Sequence, residues 1–514
     1  MRWVDFKDSV KRFWSEYKHQ TSGMFGLIFL ILLLVLGIAA PYLTSPDIPK
    51  QWQTGEAWIV NPKNAPPSWE NAFSDKKLAD QVVYTIHNMK VVEGKNGSYK
   101  VYTLTFTYNM RYDVPPKDIV ITGLKSNASR PQDNPLVSVY VERPKENGVK
   151  VNSFLLLPDT QLPTKGVLQL SYLKDVKTLL FYWLSENGVV QLPMNPPAGL
   201  PIDVKLMMIN QQIQLDSKLY GYYQSMDPMK VLFGAITENG KIRTLDQVIN
   251  DPKPLKGTYH FKIIIKAPEN INVDLSNFEV AMVGRTFGLL GTDQYGRPIA
   301  VGLLWGIRVA IAIGLAVSIS SVAIGILIGV TSAYLGGWAD ELIQRITEFF
   351  MTLPVLPMLI LLSLYFGGRI TLKQLVFILV LFGWMGTTKV ARSMALQIKE
   401  QTYIEAARAL GASTGRIVFK HIVPQLLPYA FASIALSVPG AILSEAGLSF
   451  LGLTSNNMIT WGQMLNAAQQ NGATLNGYWW QVIPPGLAIA FVGLIFVLIG
   501  VSLDTVLNPK LKRA

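Results

Sequence analysis

The side chains that most often carry out chemistry are scarce in this sequence. It has no cysteine and only four histidines among 514 residues, which excludes disulfides, thiolate catalysis and Cys-ligated metals and argues against a zinc site. It also has no GxxxxGK[ST] phosphate-binding loop and no HExxH pair. We therefore expect no catalytic residue, no metal site and no bound cofactor, and any ATP chemistry must take place on another chain.

One carboxylate lies within an apolar stretch. Glu445 is the only charged residue between Tyr429 and Leu453. An unpaired charge inside a membrane costs on the order of 2.5–3.5 kcal/mol, so we expect Glu445 to face other helices or a partner protein. A hydrogen-bonded structural acid is favoured over a substrate-binding role, and both interpretations remain open at this stage.

A polar segment from Tyr403 to Pro424 is the second informative feature. A helix through residues 404–410 should end at Gly411, which can adopt the left-handed cap, and Ser413 can cap a second short helix. The small residues Ala406, Ala407 and Gly411 share a face on which the backbone of another protein can come close. Spacing alone also fits a plain polar linker between two membrane helices.

The elements that position these residues are membrane helices. The chain is 50% hydrophobic and 16% charged, and its mean hydropathy is +0.28, which is typical of a membrane protein. Six apolar runs are predicted to span the bilayer, with kinks at Pro354 and Pro357 in the third. The predicted spans are residues 23–43, 309–333, 349–368, 375–388, 429–453 and 482–503. A signal peptide is the less favoured alternative for the first run.

The distribution of basic residues predicts the orientation. Lys and Arg dominate residues 389–421, and the tail contains Lys510, Lys512 and Arg513, so both termini and this loop are expected in the cytoplasm. Residues 1–22 are predicted to form a cytoplasmic amphipathic helix on the membrane surface, with packing against the protein as the alternative. The formal charge of +12 follows these membrane flanks and does not form a nucleic-acid-binding stripe.

Residues 44–285 are then expected outside the cell as a β-rich domain between helices 1 and 2. Alternating apolar and polar residues predict strands, and two sheets packed as a sandwich are expected, with one helical stretch around 227–250. The predicted strands are residues 99–108, 136–141, 167–173, 178–184 and 258–267. Asn96-Gly97-Ser98 and Asn127-Ala128-Ser129 match the glycosylation sequon.

The sequence EAARALGAS at 405–413, followed by HIVP at 421–424, resembles the EAA loop of ABC importer permeases of the oligopeptide, dipeptide and nickel type. Four further stretches resemble the same family. They are Gly291–Arg297 with Gly306 and Arg308, Tyr334–Asp340 with Arg345 and Pro354, Leu448–Leu453, and Trp461–Leu465. The resemblance covers Leu290 to the C-terminus and the first apolar run.

The resemblance implies a type I ABC importer architecture, with a permease core over residues 286–514 and a cytoplasmic coupling loop over about residues 389–424. It implies a multi-pass protein of the cell membrane that works with a second homologous permease, two ATP-binding cassette subunits and an extracytoplasmic solute-binding protein. ATP and Mg would be bound by the ATPase subunits alone. Contact with an ATPase subunit is implied for Glu405, Ala406, Ala407, Gly411, Ala412 and Ser413. Structural or gating roles are expected for Arg308, Asp340, Arg345 and Glu445.

The function expected from the sequence is therefore that of a non-catalytic permease subunit for the uptake of oligopeptides, dipeptides or a similar solute. An importer of oligosaccharides is the alternative within the same class, and the substrate-binding residues are not identified by the sequence. A membrane-anchored surface receptor fits the large external domain but leaves the EAA loop unexplained. A secondary transporter is disfavoured because Glu445 is the only ionisable residue well inside a predicted span.

Overall fold

The computed structural model describes residues 11–507 apart from 129, 131–132, 164–165, 198 and 456–457. Residues 1–10 of the predicted N-terminal amphipathic helix lie outside the described residues, and residues 11–17 of that prediction are helical. Ser129 of the second sequon and the basic residues Lys510, Lys512 and Arg513 also lie outside them.

Among the described residues, helices dominate before residue 58 and after residue 296, and strands occur between them. The helices are α1 (Thr21–Leu43), α2 (Ile48–Gln51), α3 (Lys174–Glu186), α4 (Ile202–Leu215), α5 (Ser217–Ser225), α6 (Pro228–Leu232), α7 (Leu245–Asn250), α8 (Ile299–Leu335), α9 (Gly337–Thr352), α10 (Val355–Tyr365), α11 (Leu372–Gly383), α12 (Met385–Lys399), α13 (Thr402–Ala409), α14 (Thr414–Ile417), α15 (Val423–Phe450), α16 (Trp461–Gln470) and α17 (Trp479–Leu507). The strands are β1 (Val82–Thr85), β2 (Lys90–Asn96), β3 (Tyr99–Met110), β4 (Asp118–Thr122), β5 (Lys125–Ser126), β6 (Leu136–Glu142), β7 (Ser153–Gln161), β8 (Leu168–Gln169), β9 (Thr237–Glu238), β10 (Lys241–Ile242), β11 (Gly257–Pro268), β12 (Val273–Asp274) and β13 (Glu279–Val283).

Four helical segments of the described chain are long and apolar enough to cross a membrane: α1, α8, residues 414–450 and α17. Two further pairs pass the same test only together, namely α9 with α10 and α11 with α12, which are bent by 84° and 42°. The chain is therefore a helical membrane protein with four to six candidate spans.

The bend between α9 and α10 has a local cause. Pro354 has no N–H to donate and disfavours a helical conformation at the residue before it, and Leu353 is accordingly extended with ψ 129°. Pro357 lies in the first turn of α10, where the missing N–H removes no helical hydrogen bond. Of the two predicted kinks, the one at Pro354 is thus a sharp corner between two helices, while Pro357 does not interrupt its helix.

Glycines bring the apolar helices close together. A Cβ added to Gly329 of α8 would lie 2.4 Å from the carbonyl oxygen of Thr388 in α12, and one on Gly325 would lie 2.6 Å from that of Trp384. Because no side chain intervenes, the two helices pack backbone to backbone, as is common for membrane helices. Gly462 of α16 makes the same kind of approach to α15, where its Cβ would lie 2.6 Å from the carbonyl oxygen of Ala446.

Residues 58–296 form a compact unit of their own. Its five-stranded sheet has the order β2-β3-β11-β6-β7 and its four-stranded sheet the order β1-β13-β4-β8, and two short strand pairs complete it. All pairings within the two larger sheets are antiparallel. The predicted strands over 99–108, 136–141 and 258–267 are present, because alternation buries every second residue of β3 and β11 against one core.

The predictions for two other strands were wrong. Residues 178–184 belong to helix α3, which buries Phe181, Trp183 and Leu184 in the core, and residues 167–173 contain only the two-residue strand β8 followed by a helical turn. A short continuous apolar run does not distinguish a buried strand from a buried helix.

The helical content of this unit was also underestimated. The stretch expected around 227–250 consists of α6 and α7 on either side of the β9–β10 hairpin, and α4 and α5 precede it. Side chains from these helices and from both large sheets share one hydrophobic core. The unit is therefore two sheets with a helical layer, where the sequence predicted a plain sandwich.

We predict that Gly329→Ala destabilises the bundle by about 1–3 kcal/mol, because the added methyl group collides with backbone of α12. Gly447→Ala is the matched control, since a Cβ at Gly447 meets nothing within 4 Å and alanine is about 1 kcal/mol the better helix former. Thermal unfolding of the two detergent-solubilised variants measures the difference. Equal melting temperatures would show that α8 and α12 do not pack as closely as described.

Candidate functional site

The loop that contains the EAARALGAS motif folds into two short helices. Helix α13 ends where Gly411 adopts φ +78°, and the N–H of Ala412 donates to the carbonyl of Ala407 at 3.0 Å, as a left-handed helix end requires. Ser413 Oγ then accepts from the N–H of Arg416 at 3.4 Å and caps α14. The caps expected at Gly411 and Ser413 are both present, and the turn between the helices is set by these local bonds.

One face of this pair of helices is anchored to the membrane bundle. Ile404 of α13 and Ile417 of α14 are fully buried and pack in a single cluster with Val330 of α8 and Ala391 of α12. Ile422, in the π-helical turn Val418–Ile422 that leads into α15, completes the cluster. The loop is therefore attached to the long helices through apolar contacts and is held by more than its two chain connections.

The other face is open and partly apolar. Leu410 is 88% exposed, and Phe419 and Tyr403 are exposed as well. Of the six residues expected at an ATPase contact, Glu405, Ala406, Gly411 and Ser413 are exposed, whereas Ala407 and Ala412 are half-buried. A Cβ on Gly411 would meet nothing within 4 Å. Exposed leucine and phenylalanine next to small residues are typical of a surface on which another protein docks.

A charged cluster fixes α12 to α9. Arg392 Nε donates to Asp340 Oδ1 at 2.7 Å, and its Nη2 donates to Asp340 Oδ2, so the pair is bidentate. Ser332 at the end of α8 donates to Asp340 and accepts from Gln344 Nε2 at 3.1 Å. These contacts tie the end of α8 and the first turn of α9 to the middle of α12.

Arg345 belongs to the same surroundings. It lies 3.5 Å from Glu348, which in turn lies 3.5 Å from Lys389, and these side chains line a cavity of about 450 Å³ with Asp340 and Arg392. The structure thus brings the predicted residues Asp340 and Arg345 together. Arg392 was not predicted as a site residue, because no motif marks its partner 52 positions away.

The start of the loop is also linked to the end of α8. Lys399 Nζ donates to the carbonyl of Ala333 at 3.2 Å, and the guanidinium carbon of Arg408 lies 5.7 Å from the centre of the Tyr334 ring. Cation–π contacts of this length are weak, about 0.5–1 kcal/mol when exposed. Together with the buried isoleucines they leave α13 little freedom to move independently of α8.

Arg308 and Glu445 lie away from this cluster. The Arg308 guanidinium carbon is 5.1 Å from the Trp305 ring centre, and Trp305 Nε1 donates to Thr44 Oγ1 at 3.1 Å, which places Arg308 near the packing of α1 on α8. Glu445 is buried and accepts a hydrogen bond from Ser449 Oγ at 2.6 Å.

Ser449 continues that network. Its hydroxyl lies 2.8 Å from Thr454 Oγ1, and Gln463 Nε2 donates to the same threonine oxygen at 3.3 Å. The buried carboxylate is thus surrounded by hydroxyl and amide groups that join α15 to α16. Such a network fits the expectation that Glu445 is a hydrogen-bonded acid inside the bundle. Of the four residues predicted to have structural or gating roles, Asp340 and Arg345 lie together, while Arg308 and Glu445 lie elsewhere.

The chain matches two protein families over different segments. Residues 306–513 match the model of the binding-protein-dependent transport system inner membrane component, and residues 10–67 match the N-terminal TM domain of oligopeptide transport permease C.

Relatives match the chain over 224 residues, 43% of its length. The dipeptide transport system permease protein DppC of Bacillus subtilis is 33% identical, and the match covers 69% of it. The oligopeptide transport system permease protein OppC of the same organism is 35% identical, with 72% covered. A solved structure of the MetNI methionine ABC transporter covers 38% of this chain and 98% of that one at 18% identity, but its TM-score of 0.29 is too low to bear on the fold.

Sequence identity to these two relatives is above 30% over more than two thirds of their length, and the matched family model covers the segment that folds into the anchored, half-exposed loop. The chain therefore belongs to the family of binding-protein-dependent transport system inner membrane components, the membrane permeases of ABC importers.

Proposed function

We propose that this chain is one transmembrane permease subunit of an ATP-driven importer that takes up peptides delivered by an extracytoplasmic binding protein. Relatives named as dipeptide and oligopeptide permeases support a peptide as the transported solute. An oligosaccharide is the alternative solute for the same importer. The observation that carries the proposal is the two-sided loop, which is buried against the bundle on one face and open on the other.

In this proposal the open face docks on an ATP-binding cassette subunit. Leu410 and Phe419 provide apolar contact area, while Ala406 and Gly411 let the partner's backbone come close. When the two ATPase subunits close on ATP, they displace the loop, and the buried Ile404 and Ile417 transmit that displacement to α8 and α12. This chain binds no nucleotide, so hydrolysis and its Mg ion belong to the partners.

The Asp340–Arg392 pair has a positioning role in the same movement. It joins α9 to the helix that leads directly into the loop, so displacement of α12 also pulls on α9. Two hydrogen bonds between charged groups are worth more than a single surface ion pair. We assign Asp340 and Arg345 to this link, and Arg308 to the contact between α1 and α8.

The proposed topology counts each bent pair as one span, which gives six. Both termini and the loop at 389–424 then lie in the cytoplasm, in agreement with their basic residues. Residues 44–285, between the first and second spans, lie outside the cell. A second homologous permease completes the pore, and the protein resides in the cell membrane.

The external domain is proposed to receive the solute-binding protein or to cover the outer mouth of the pore. Its chain ends join two successive membrane helices, where a compact domain can be inserted without changing the bundle. This role is separate from that of the loop, and a different experiment tests each.

The docking face is tested by Leu410→Asp. A charge at this exposed position should weaken binding of the ATPase subunit by about 2 kcal/mol, about 30-fold in affinity, because the carboxylate would have to be desolvated against the partner. Leu475→Asp is the matched control, since Leu475 is 94% exposed but lies in the loop between α16 and α17. Titration of the solubilised permease with ATPase subunits measures both affinities.

Two substitutions at Gly411 distinguish the effect of side-chain volume on docking from the effect of backbone strain. Gly411→Ala and Gly411→Trp both place a side chain at φ +78°, but only tryptophan adds volume at the proposed contact. We expect the alanine variant to retain uptake and the tryptophan variant to assemble without ATP-coupled uptake. Docking at this face would be refuted if Leu410→Asp and Leu475→Asp bound the ATPase subunits with equal affinity, or if Gly411→Trp showed normal uptake.

For Glu445 we predict a structural role. Glu445→Gln keeps an acceptor for the Ser449 hydroxyl, so assembly and the solute KM should not change. Glu445→Leu removes the buried acceptor from the network of Ser449, Thr454 and Gln463, at a cost of about 1–3 kcal/mol for the lost hydrogen bond, and should lower the yield of folded protein. The measurements are size-exclusion yield and KM in proteoliposomes, and a fully assembled Glu445→Gln variant with altered KM would instead indicate solute binding.

The external domain is tested by replacing residues 58–296 with a short flexible linker. We expect this variant to assemble with its ATPases and hydrolyse ATP at the basal rate, but to show no stimulation by the solute-loaded binding protein. Insertion of the same linker after Gly199, which has open space around it, is the control and should retain stimulation. If the deletion variant kept both solute uptake and the stimulation of ATP hydrolysis by the loaded binding protein, the docking role would be wrong and only a protective role would remain.

A further inference from the structure

A small cavity lies between four helices of the membrane bundle, away from the cytoplasmic loop. It measures about 240 Å³ and is lined by parts of α8, α10, α11 and α15. No charged residue lines it, whereas four of its lining residues are serines: Ser318, Ser321, Ser437 and Ser444. A water molecule occupies about 30 Å³ in the liquid, so the cavity accommodates a few polar groups of a solute and not a whole oligomer.

Two of these serines are buried without a hydrogen-bond partner among the described residues. Ser318 and Ser321 of α8 are only 1% and 3% exposed, and neither hydroxyl has a partner. Gly383 of α11 packs closely against one of them, because a Cβ there would lie 2.4 Å from Ser321 Oγ, so that glycine leaves just enough room for this hydroxyl. An unpaired buried hydroxyl costs about 1–3 kcal/mol, so these two groups favour any occupant that can pair with them.

The opposite wall offers hydrogen-bond acceptors. Ser437, Gly440 and Ser444 follow one another at helical spacing on one side of α15. The Ser437 hydroxyl donates to the carbonyl of Ser433 at 2.7 Å, and that of Ser444 donates to the carbonyl of Gly440 at 2.8 Å. Each hydroxyl proton is therefore used, while the oxygen lone pairs remain available to accept.

The residue next to Ser444 shows that α15 is not polar all round. Leu443 is 64% exposed and does not line the cavity, as suits a position that faces lipid or another apolar surface. Ser437 and Ser444 are less suited than Leu443 to contact lipid, since polar groups on membrane helices usually face the bundle interior or water. The cavity thus combines two unpaired hydroxyl donors of α8 with two hydroxyl acceptors of α15.

We propose that this serine-lined cavity is a subsite of the solute path that holds neutral hydrogen-bonding groups, in the first place the backbone amides of a peptide. An amide offers one donor and one acceptor and carries no charge, which matches the four hydroxyls and the lack of charged residues in the lining. Sugar hydroxyls have the same chemistry, and the test below distinguishes the two. The proposal rests on the importer function proposed above and adds to it where the solute is bound within this chain.

The lack of native cysteine makes a direct test of water access possible. Ser437→Cys and Ser444→Cys would each give this chain a single thiol, and Leu443→Cys is the matched control on the same helix. The assembled importer, in proteoliposomes and with cysteine-free partner subunits, is treated with a charged methanethiosulfonate that reacts only with thiolate in contact with water. We expect the two serine-position variants to react at least about tenfold faster than the control.

Protection by solute then identifies the occupant. Tetra-alanine and maltotriose are each added at saturating concentration, and ATP-driven uptake of both is measured with the unsubstituted complex. Slower labelling in the presence of tetra-alanine indicates that a peptide occupies the cavity, and slower labelling with maltotriose alone indicates a sugar. Labelling no faster than at Leu443→Cys, or labelling that an imported solute does not slow, would overturn the subsite. Absence of ATP-driven uptake of both solutes would instead count against the proposed function, because the labelling comparison does not require import.

A second variant tests the donors. Ser318→Ala combined with Ser321→Ala removes both unpaired hydroxyls without adding volume. We expect KM to rise about tenfold while uptake at saturating solute changes less than about twofold, with ATPase-subunit binding unchanged. An unchanged KM would show that these hydroxyls do not contact the solute.

Discussion

Burial of Ile404 and Ile417 against α8 and α12 is the interaction on which the proposed mechanism depends. Each fully buried isoleucine contributes about 1.5–3 kcal/mol, so the two together hold the loop helices to the bundle with about 3–6 kcal/mol. Without that attachment, α13 and α14 would swing about their chain connections, and a push on the loop would not reach the membrane helices. With it, the loop and the ends of α8 and α12 move as one body.

The attachment itself rests on close packing further inside the bundle. Gly325 and Gly329 let α12 lie directly against α8, and only at that distance does Arg392 reach Asp340 while Ala391 joins the isoleucine cluster. The ion pair then extends the rigid region to the first turn of α9. Small residues, a bidentate ion pair and an apolar cluster thus act together along α12, and the ion pair and the cluster both depend on the close approach that the glycines allow.

The sequence predicted those features that depend on local interactions. The left-handed end at Gly411 and the cap at Ser413 are determined within a few residues, and the strands over 99–108 and 258–267 follow from strict alternation. Helix α3 was mistaken for a strand because a short, fully buried apolar run fits either structure. The partnership of Arg392 with Asp340 spans 52 positions and has no local signature. Pro354 indicated an interruption, but the angle of 84° depends on how α9 and α10 pack elsewhere.

The central claim is that the open face of the loop meets an ATPase subunit, and photo-cross-linking measures this contact directly. A photoreactive benzoyl-phenylalanine is placed at Phe419, where it nearly matches an exposed aromatic ring, or at Tyr365, an exposed aromatic residue at the end of α10. The assembled importer is irradiated, and adducts of this chain are identified by mass spectrometry. The mechanism predicts an ATPase adduct from position 419 and none from position 365. An ATPase adduct from neither position, or from both equally, would contradict it.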